Sequence, residues 1–162
     1  MSKVQFEESQ SFNQWWLILL FIGFFVFLLY QFIVELSSDN FDPMPFTLSF
    51  TILALIAFFI AKIVLKTKID ALGIHIQFWP FYIKSKLFSW SEIENISVIK
   101  YNPILDYGGW GYRFNFRGKG TALNVKGNQG IQLTLKNGKK LLIGTQKPAE
   151  VRQIIQFYSR KS

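Results

Sequence analysis

The chain contains one histidine, His75, and no cysteine. Without cysteine there is no disulfide, no thiolate metal site and no cysteine nucleophile. A lone histidine with no clustered acids beside it does not suggest a metal centre or a nucleophile–base pair. Asp70, Glu92, Glu94 and Asp106 are scattered along the chain. Glu92 and Glu94 share a predicted strand face, where a solvated pair is a better reading than acid–base work. Gly118-Lys119-Gly120 and Gly127-Asn128-Gln129-Gly130 do not fit the phosphate-binding pattern of a glycine-rich loop between strand and helix, and read as turns. No catalytic residue, metal ligand or cofactor is expected, and the chain does not read as an enzyme.

Charge and aromatic surface remain as possible chemistry. Lys84 and Lys86 share one strand face; Arg113 and Arg117 share another, with Lys119 just beyond. Such a surface can face anionic lipid, each cation near it contributing about 1 kcal/mol. The plainer reading, a solvated face that also discourages edge pairing, carries more weight. Trp110 lies in Gly108-Gly109-Trp110-Gly111-Tyr112-Arg113. It is either an exposed anchor of a binding loop or a ring packed on the sheet beside a tight glycine turn, and the turn is preferred. Basic charge with aromatics also raises nucleic-acid binding. The aromatics here alternate as core positions and no named motif is present, so nucleic acid is not an expected partner.

The elements that position these residues differ sharply between the two parts of the chain. Hydrophobic residues make up 50% and charged residues 17%, and 12 of the 18 Phe lie before residue 66. Twenty-six uncharged residues separate Glu8 from Glu35, and 19 separate Asp42 from Lys62. A membrane-spanning helix needs roughly 20 mostly apolar residues. The pattern predicts an N-terminal segment at 1–14, transmembrane helices at 15–36 and 46–66, and an external loop at 37–45. The first run exceeds the roughly 7–15 apolar residues of a signal peptide, and no small-residue cleavage site follows it. The connecting loop carries Asp39 and Asp42 and no Lys or Arg, whereas Lys66, Lys68, Lys84 and Lys86 follow the second span. The positive-inside bias places both termini in the cytoplasm. No acid or histidine lies mid-span, which argues against an ion or proton path.

Residues 67–162 hold fifteen Lys/Arg against five Asp/Glu, a net of +10, against −2 for residues 1–66. Alternation of period two predicts strands. Leu72, Ile74, Ile76 and Phe78 form one buried face, with His75 and Gln77 opposite; Tyr112, Phe114 and Phe116 form another. Ile131, Leu133 and Leu135 form a third. Asn137-Gly138 between two such runs predicts a type I′ hairpin. Further strands are expected at 81–88, 93–101 and 121–126, about seven in all. From Pro148 the period changes to that of an amphipathic helix with Val151, Ile154, Ile155 and Tyr158 on one face and Glu150 in its first turn.

Leu87-Phe88-Ser89-Trp90-Ser91-Glu92-Ile93, the Gly108–Arg113 segment and Leu142-Ile143-Gly144-Thr145-Gln146-Lys147-Pro148 resemble elements of bacterial membrane-anchored pleckstrin-homology-like proteins. The resemblance covers about residues 68–160. It implies an α+β fold: a two-helix transmembrane hairpin, then a seven-stranded bent antiparallel sheet or partly open barrel with a C-terminal capping helix. Of the phosphoinositide signature in eukaryotic relatives, only Lys84-x-Lys86 is echoed. The implied role is a non-catalytic binding or scaffolding module at the bacterial cytoplasmic membrane, presenting its domain to a protein partner or a second copy. The alternative is recognition of anionic lipid headgroups by Lys84, Lys86, Arg113, Arg117 and Lys119, with Trp110 at the contact.

Overall fold

The two longest apolar runs are helical, and neither is covered by protein. The computed structural model describes residues 5–115 and 118–159, and the chain divides between Ser11 and Phe12 and between Lys62 and Ile63 into two compact units. Helices α1 (Trp15–Glu35) and α2 (Met44–Lys62) make up the inner unit, and no residue of either is buried. At 1.5 Å per residue they are about 31 and 28 Å long, close to the roughly 30 Å of a bilayer's hydrocarbon core. Both are long and apolar enough to cross a membrane. In α2 the hydroxyls of Thr47, Ser49 and Thr51 donate to the carbonyls of Met44, Pro45 and Thr47. Asp42 Oδ1 accepts from the Met44 amide at 2.9 Å at the start of α2. Phe32 meets Phe41 and Phe46 edge-on at the connection, and Phe25 meets Phe50 further along.

The second unit is formed by chain from both sides of the helical pair. Residues 6–11 form strand β1 (Phe6–Ser11), paired antiparallel with β2 (Val64–Ile69) from Phe6↔Ile69 to Ser11↔Val64. The segment 1–14, expected to be a separate N-terminal piece, thus contributes a strand to the sheet. The second apolar helix is also shorter than the expected 46–66. The run to Lys66 was one apolar stretch by composition, but Leu65, Thr67 and Ile69 are buried while Lys66 is exposed, which is the alternation of a strand. The sheet continues with β3 (Gly73–Trp79) and β4 (Tyr82–Ser89) in the order β1-β2-β3-β4.

A second sheet holds β5 (Ile93–Lys100), β6 (Gly111–Asn115), β7 (Gly120–Asn124), β8 (Gln129–Leu135) and β9 (Lys140–Gly144) in the order β5-β8-β9-β7-β6. The short helix α3 (Pro103–Tyr107) lies between β5 and β6, and α4 (Pro148–Ser159) ends the described chain. The fold is α+β, with nine strands in two sheets among the described residues rather than seven. It is not wholly antiparallel, because β7 runs parallel to β9 from Thr121↔Leu141 to Leu123↔Ile143. The Asn137-Gly138 hairpin is present but its turn is not type I′. Among the described residues no non-glycine has positive φ, so only Gly138, at +79°, is left-handed. The Gly138 amide donates to Leu135 O and the Leu135 amide to Lys139 O, the three-residue loop in which a type I turn precedes a left-handed glycine.

Ile74, Ile76 and Phe78 are fully buried, as are Ile131, Leu133, Leu142 and Ile143; Leu72, expected on the same face, is exposed in the turn before β3. Val151, Ile154, Ile155 and Tyr158 of α4 are buried as their spacing predicts. Trp90 fastens this helix to the first sheet: its ring stacks on Tyr158 at 5.4 Å and its Nε1–H donates to Asp70 O at 2.9 Å.

Strand β1 is held by polar side chains on its inner face. The buried Glu8 carboxylate accepts from Thr145 Oγ1 at 2.6 Å and from the Gln146 amide at 2.8 Å, and Gln10 Nε2 donates to Gly144 O at 2.8 Å. Glu8→Ala leaves the buried Thr145 hydroxyl and the part-buried Gln146 amide without this acceptor, a loss of about 1–3 kcal/mol for a fully buried donor and less for a partly exposed one. The full chain in detergent should therefore lose about 2–4 kcal/mol of unfolding free energy, and the Gln146 amide should lose hydrogen-exchange protection. Glu8→Gln, which keeps an acceptor oxygen, should lose less.

Candidate functional site

The basic and aromatic residues singled out from the sequence lie mostly on two edge strands. Lys84 and Lys86 are on β4, the outer strand of the first sheet, and both are exposed. Lys86 Nζ sits 5.6 Å from the Tyr82 ring centre and 5.1 Å from that of Phe88, cation–π contacts that hold it along its own strand. Arg113 is on β6, the outer strand of the second sheet. Its Nε–H donates to Trp110 O at 3.1 Å.

An aromatic contact joins these two edges. Phe81, in the turn between β3 and β4, stacks on Tyr112 of β6 at 5.2 Å and also approaches Phe78 at 5.4 Å. Tyr82, the first residue of β4, meets Tyr112 edge-on at 5.9 Å. Burial, followed by a hydrogen bond and charge interaction with Tyr112, pushes the Tyr82 hydroxyl up to about 12. Lys84, Lys86 and Arg113 thus belong to the strands that flank one aromatic seam. Ile83 and Phe114 beside it are exposed. This corrects the reading of Tyr112 and Phe114 as core residues. Strand β6 has a neighbour on one side alone, β7, and its side chains are only partly covered. Phe116 and Arg117 lie outside the described residues.

Trp110 and Lys119 have structural contacts of their own. Trp110 is half-buried, and its Nε1–H donates to Gly127 O at 3.0 Å. Gly108, at φ +73°, caps α3 in the left-handed conformation, so the glycine-rich segment turns the chain as preferred. Lys119 Nζ donates to Asp106 Oδ1 at 2.5 Å. Asp106 Oδ2 accepts from the Asn102 amide, while Asn102 Oδ1 accepts from the amides of Ile104 and Leu105, a reciprocal cap on α3. Asn115 Nδ2 donates to Asp106 O, which ties the same helix to β6. Lys119 therefore braces α3 and is not part of the seam.

Among the described residues no three His, Asp or Glu side chains cluster as a metal site would require. His75 Nε2 lies 3.1 Å from Asp70 Oδ1, which also accepts from the Leu72 amide at 2.9 Å. Burial opposes the charged carboxylate here, but the hydrogen bonds from Leu72 and His75 and the His75 charge outweigh it and hold Asp70 below its ordinary value. Both residues line an open polar hollow of about 600 Å³ with Lys66, Lys68 and Ser85. The Asp70–His75 pair braces the β2–β3 turn.

Sequence reasoning overlooked Phe81, Tyr82 and Ile83. The available signal was position: an aromatic directly after Pro80, in a turn, has no sheet face to point into. Comparison of the chain with family models, with curated proteins and with solved structures gives no match.

The Asp106 carboxyl is held below its ordinary value, first by the hydrogen bond from Lys119 and then by that from the Asn102 amide. A depressed carboxyl stabilises the fold above its unfolded value, about 3.9, and that contribution is lost as pH falls through the folded value. Lys119→Met should raise the Asp106 midpoint toward the ordinary value in an NMR titration. It should also shrink the Asp106 share of acid destabilisation while leaving the Phe81–Tyr112 contact intact.

Proposed function

We propose that the chain is a non-catalytic, membrane-anchored binding or scaffolding module of the bacterial cytoplasmic membrane. In this reading α1 and α2 span the bilayer as a hairpin. The sheet unit, pleckstrin-homology-like in plan, stands on the cytoplasmic side and presents its edges to a protein partner or a second copy. The observation that carries the proposal is the insertion of two exposed, apolar, span-length helices between the hydrogen-bonded strands β1 and β2. A hairpin returns to the side it left, as a chain must to complete a sheet from both flanks. The two-sheet body with a C-terminal amphipathic helix supports the fold resemblance, although the parallel β7–β9 pair departs from it.

The absence of cysteine allows a direct test. Ser38→Cys in the connecting loop should react with a membrane-impermeant maleimide on intact cells, and Ser97→Cys on β5 only after permeabilisation. The reverse pattern overturns the orientation, and equal labelling without permeabilisation overturns the spanning hairpin. A photocrosslinker at Lys84 or Arg113 of the full chain in its native membrane should give a discrete protein adduct. Adducts to lipid alone would sink the partner reading in favour of the second one, anionic-lipid contact. That second reading is favoured by the exposed aromatic and basic seam described above.

A further inference from the structure

We infer that the β3–β4 turn, with Phe81 at its tip and Ile83 beside it, is an interfacial anchor that inserts into the headgroup layer of the same membrane the hairpin crosses. The inference rests on the spanning reading and adds to it a surface and an occupant, the bilayer itself.

The first observation is register. Ser11, the last residue of β1 and three residues short of α1, is paired with Val64, the second residue after α2, and Val64 is paired with Trp79. Phe78 is in turn paired with Tyr82. The strand ends at which the helical pair is inserted are therefore the ends that carry the β3–β4 turn. Chain length limits how far this edge can stand from a span. One residue, Ile63, separates Lys62 from Val64, which allows at most about 7 Å of extended chain. A neighbouring strand adds about 5 Å. The polar zone on each side of a bilayer is itself about 5–8 Å deep. Chain length therefore permits this turn to reach the headgroup zone.

The second observation is what the turn displays there. Phe81 is 52% exposed and Ile83 69% exposed, large apolar side chains beside Tyr82 and Tyr112. Aromatic rings with a polar edge are the side chains that settle at a membrane interface. The third observation is charge. From Ile76 to Ser91 and from Tyr107 to Ala149 the sequence contains no Asp or Glu, and these segments carry Lys84, Lys86 and Arg113. The two stretches that meet at Phe81–Tyr112 hold no acid to repel an anionic surface. A protein partner would need no such coincidence of apolar exposure with the point of chain insertion.

The test uses the full chain reconstituted in vesicles of phosphatidylcholine and phosphatidylglycerol that contain brominated lipid. Single cysteines bearing an environment-sensitive fluorophore replace Phe81, Ile83, Leu72 and Leu19, one at a time. Leu72 is 65% exposed but lies in the β2–β3 turn, at the other end of β3. Labels at 81 and 83 should be quenched by brominated lipid and blue-shifted, while the label at 72 should remain as in lipid-free micelles. Because Phe81→Cys also removes a ring from the seam, Ile83→Cys is an independent reporter that leaves those rings in place. If the label at 19 is quenched and those at 81 and 83 match the label at 72, the anchor is overturned and the spanning hairpin stands. If the label at 19 escapes quenching, the spanning reading itself fails and the anchor fails with it.

Discussion

A buried carboxylate holds this architecture together. Glu8 reaches from β1 to the junction of β9 and α4, where Thr145 Oγ1 and the Gln146 amide both donate to it. A polar group is costly to bury unless its hydrogen bonds are replaced, and Glu8 accepts two within the fold. Thr145 Oγ1 in turn accepts from the Lys147 amide at 3.1 Å, just before the first turn of α4. One side chain therefore ties the first strand of one sheet to the last strand of the other and to the helix that follows. Gln10 Nε2 repeats the link at Gly144 O. Without these bonds the edge strand β1 would be held only by its ladder to β2 and by the packing of the buried Phe6.

The same bonds explain why β1 is not legible in the sequence. Its inward positions are Phe6, Glu8 and Gln10, so a hydropathy pattern reads a polar lead-in to the first span. Strand β2 is hidden for the opposite reason. Val64 and Leu65 extend the apolar run of α2, and only the burial of Thr67 and Ile69 against exposed Lys66 reveals period two. Where polarity and burial coincide the sequence is clear: the span-length helices, the inward faces of β3 and β8, and the buried stripe of α4 all follow from spacing. The parallel pairing of β7 with β9 has no local signature, because the choice of neighbour is made by the packing of the whole sheet.

Charge was less legible than fold because a lysine's role depends on what lies within its reach. Lys119 looked like the end of a cationic strand face, yet it closes onto Asp106, thirteen residues back in the sequence, and so stabilises the cap of α3. Lys86 lies over two rings of its own strand. Trp110 is open to reading as an exposed anchor, though a ring packed beside a glycine turn is preferred; Gly127 O accepts from its indole N–H and its ring is half-buried. The exposed aromatic surface is instead at Phe81, a residue no periodicity selects because it belongs to a turn.

Insertion differs physically from attachment at a terminus. A domain on one flexible linker samples a large volume, and its contact with the surface depends on an effective concentration set by linker length. Here the chain leaves the sheet through β1 and returns through β2, and Ser11 and Val64 at the two exits are paired. Two short connections leave the chain fewer conformations than one long linker, so less entropy remains to be lost in any later encounter. The Glu8 clamp extends that constraint beyond β1: through Thr145 and Gln146 the orientation of the first sheet is transmitted to β9 and α4.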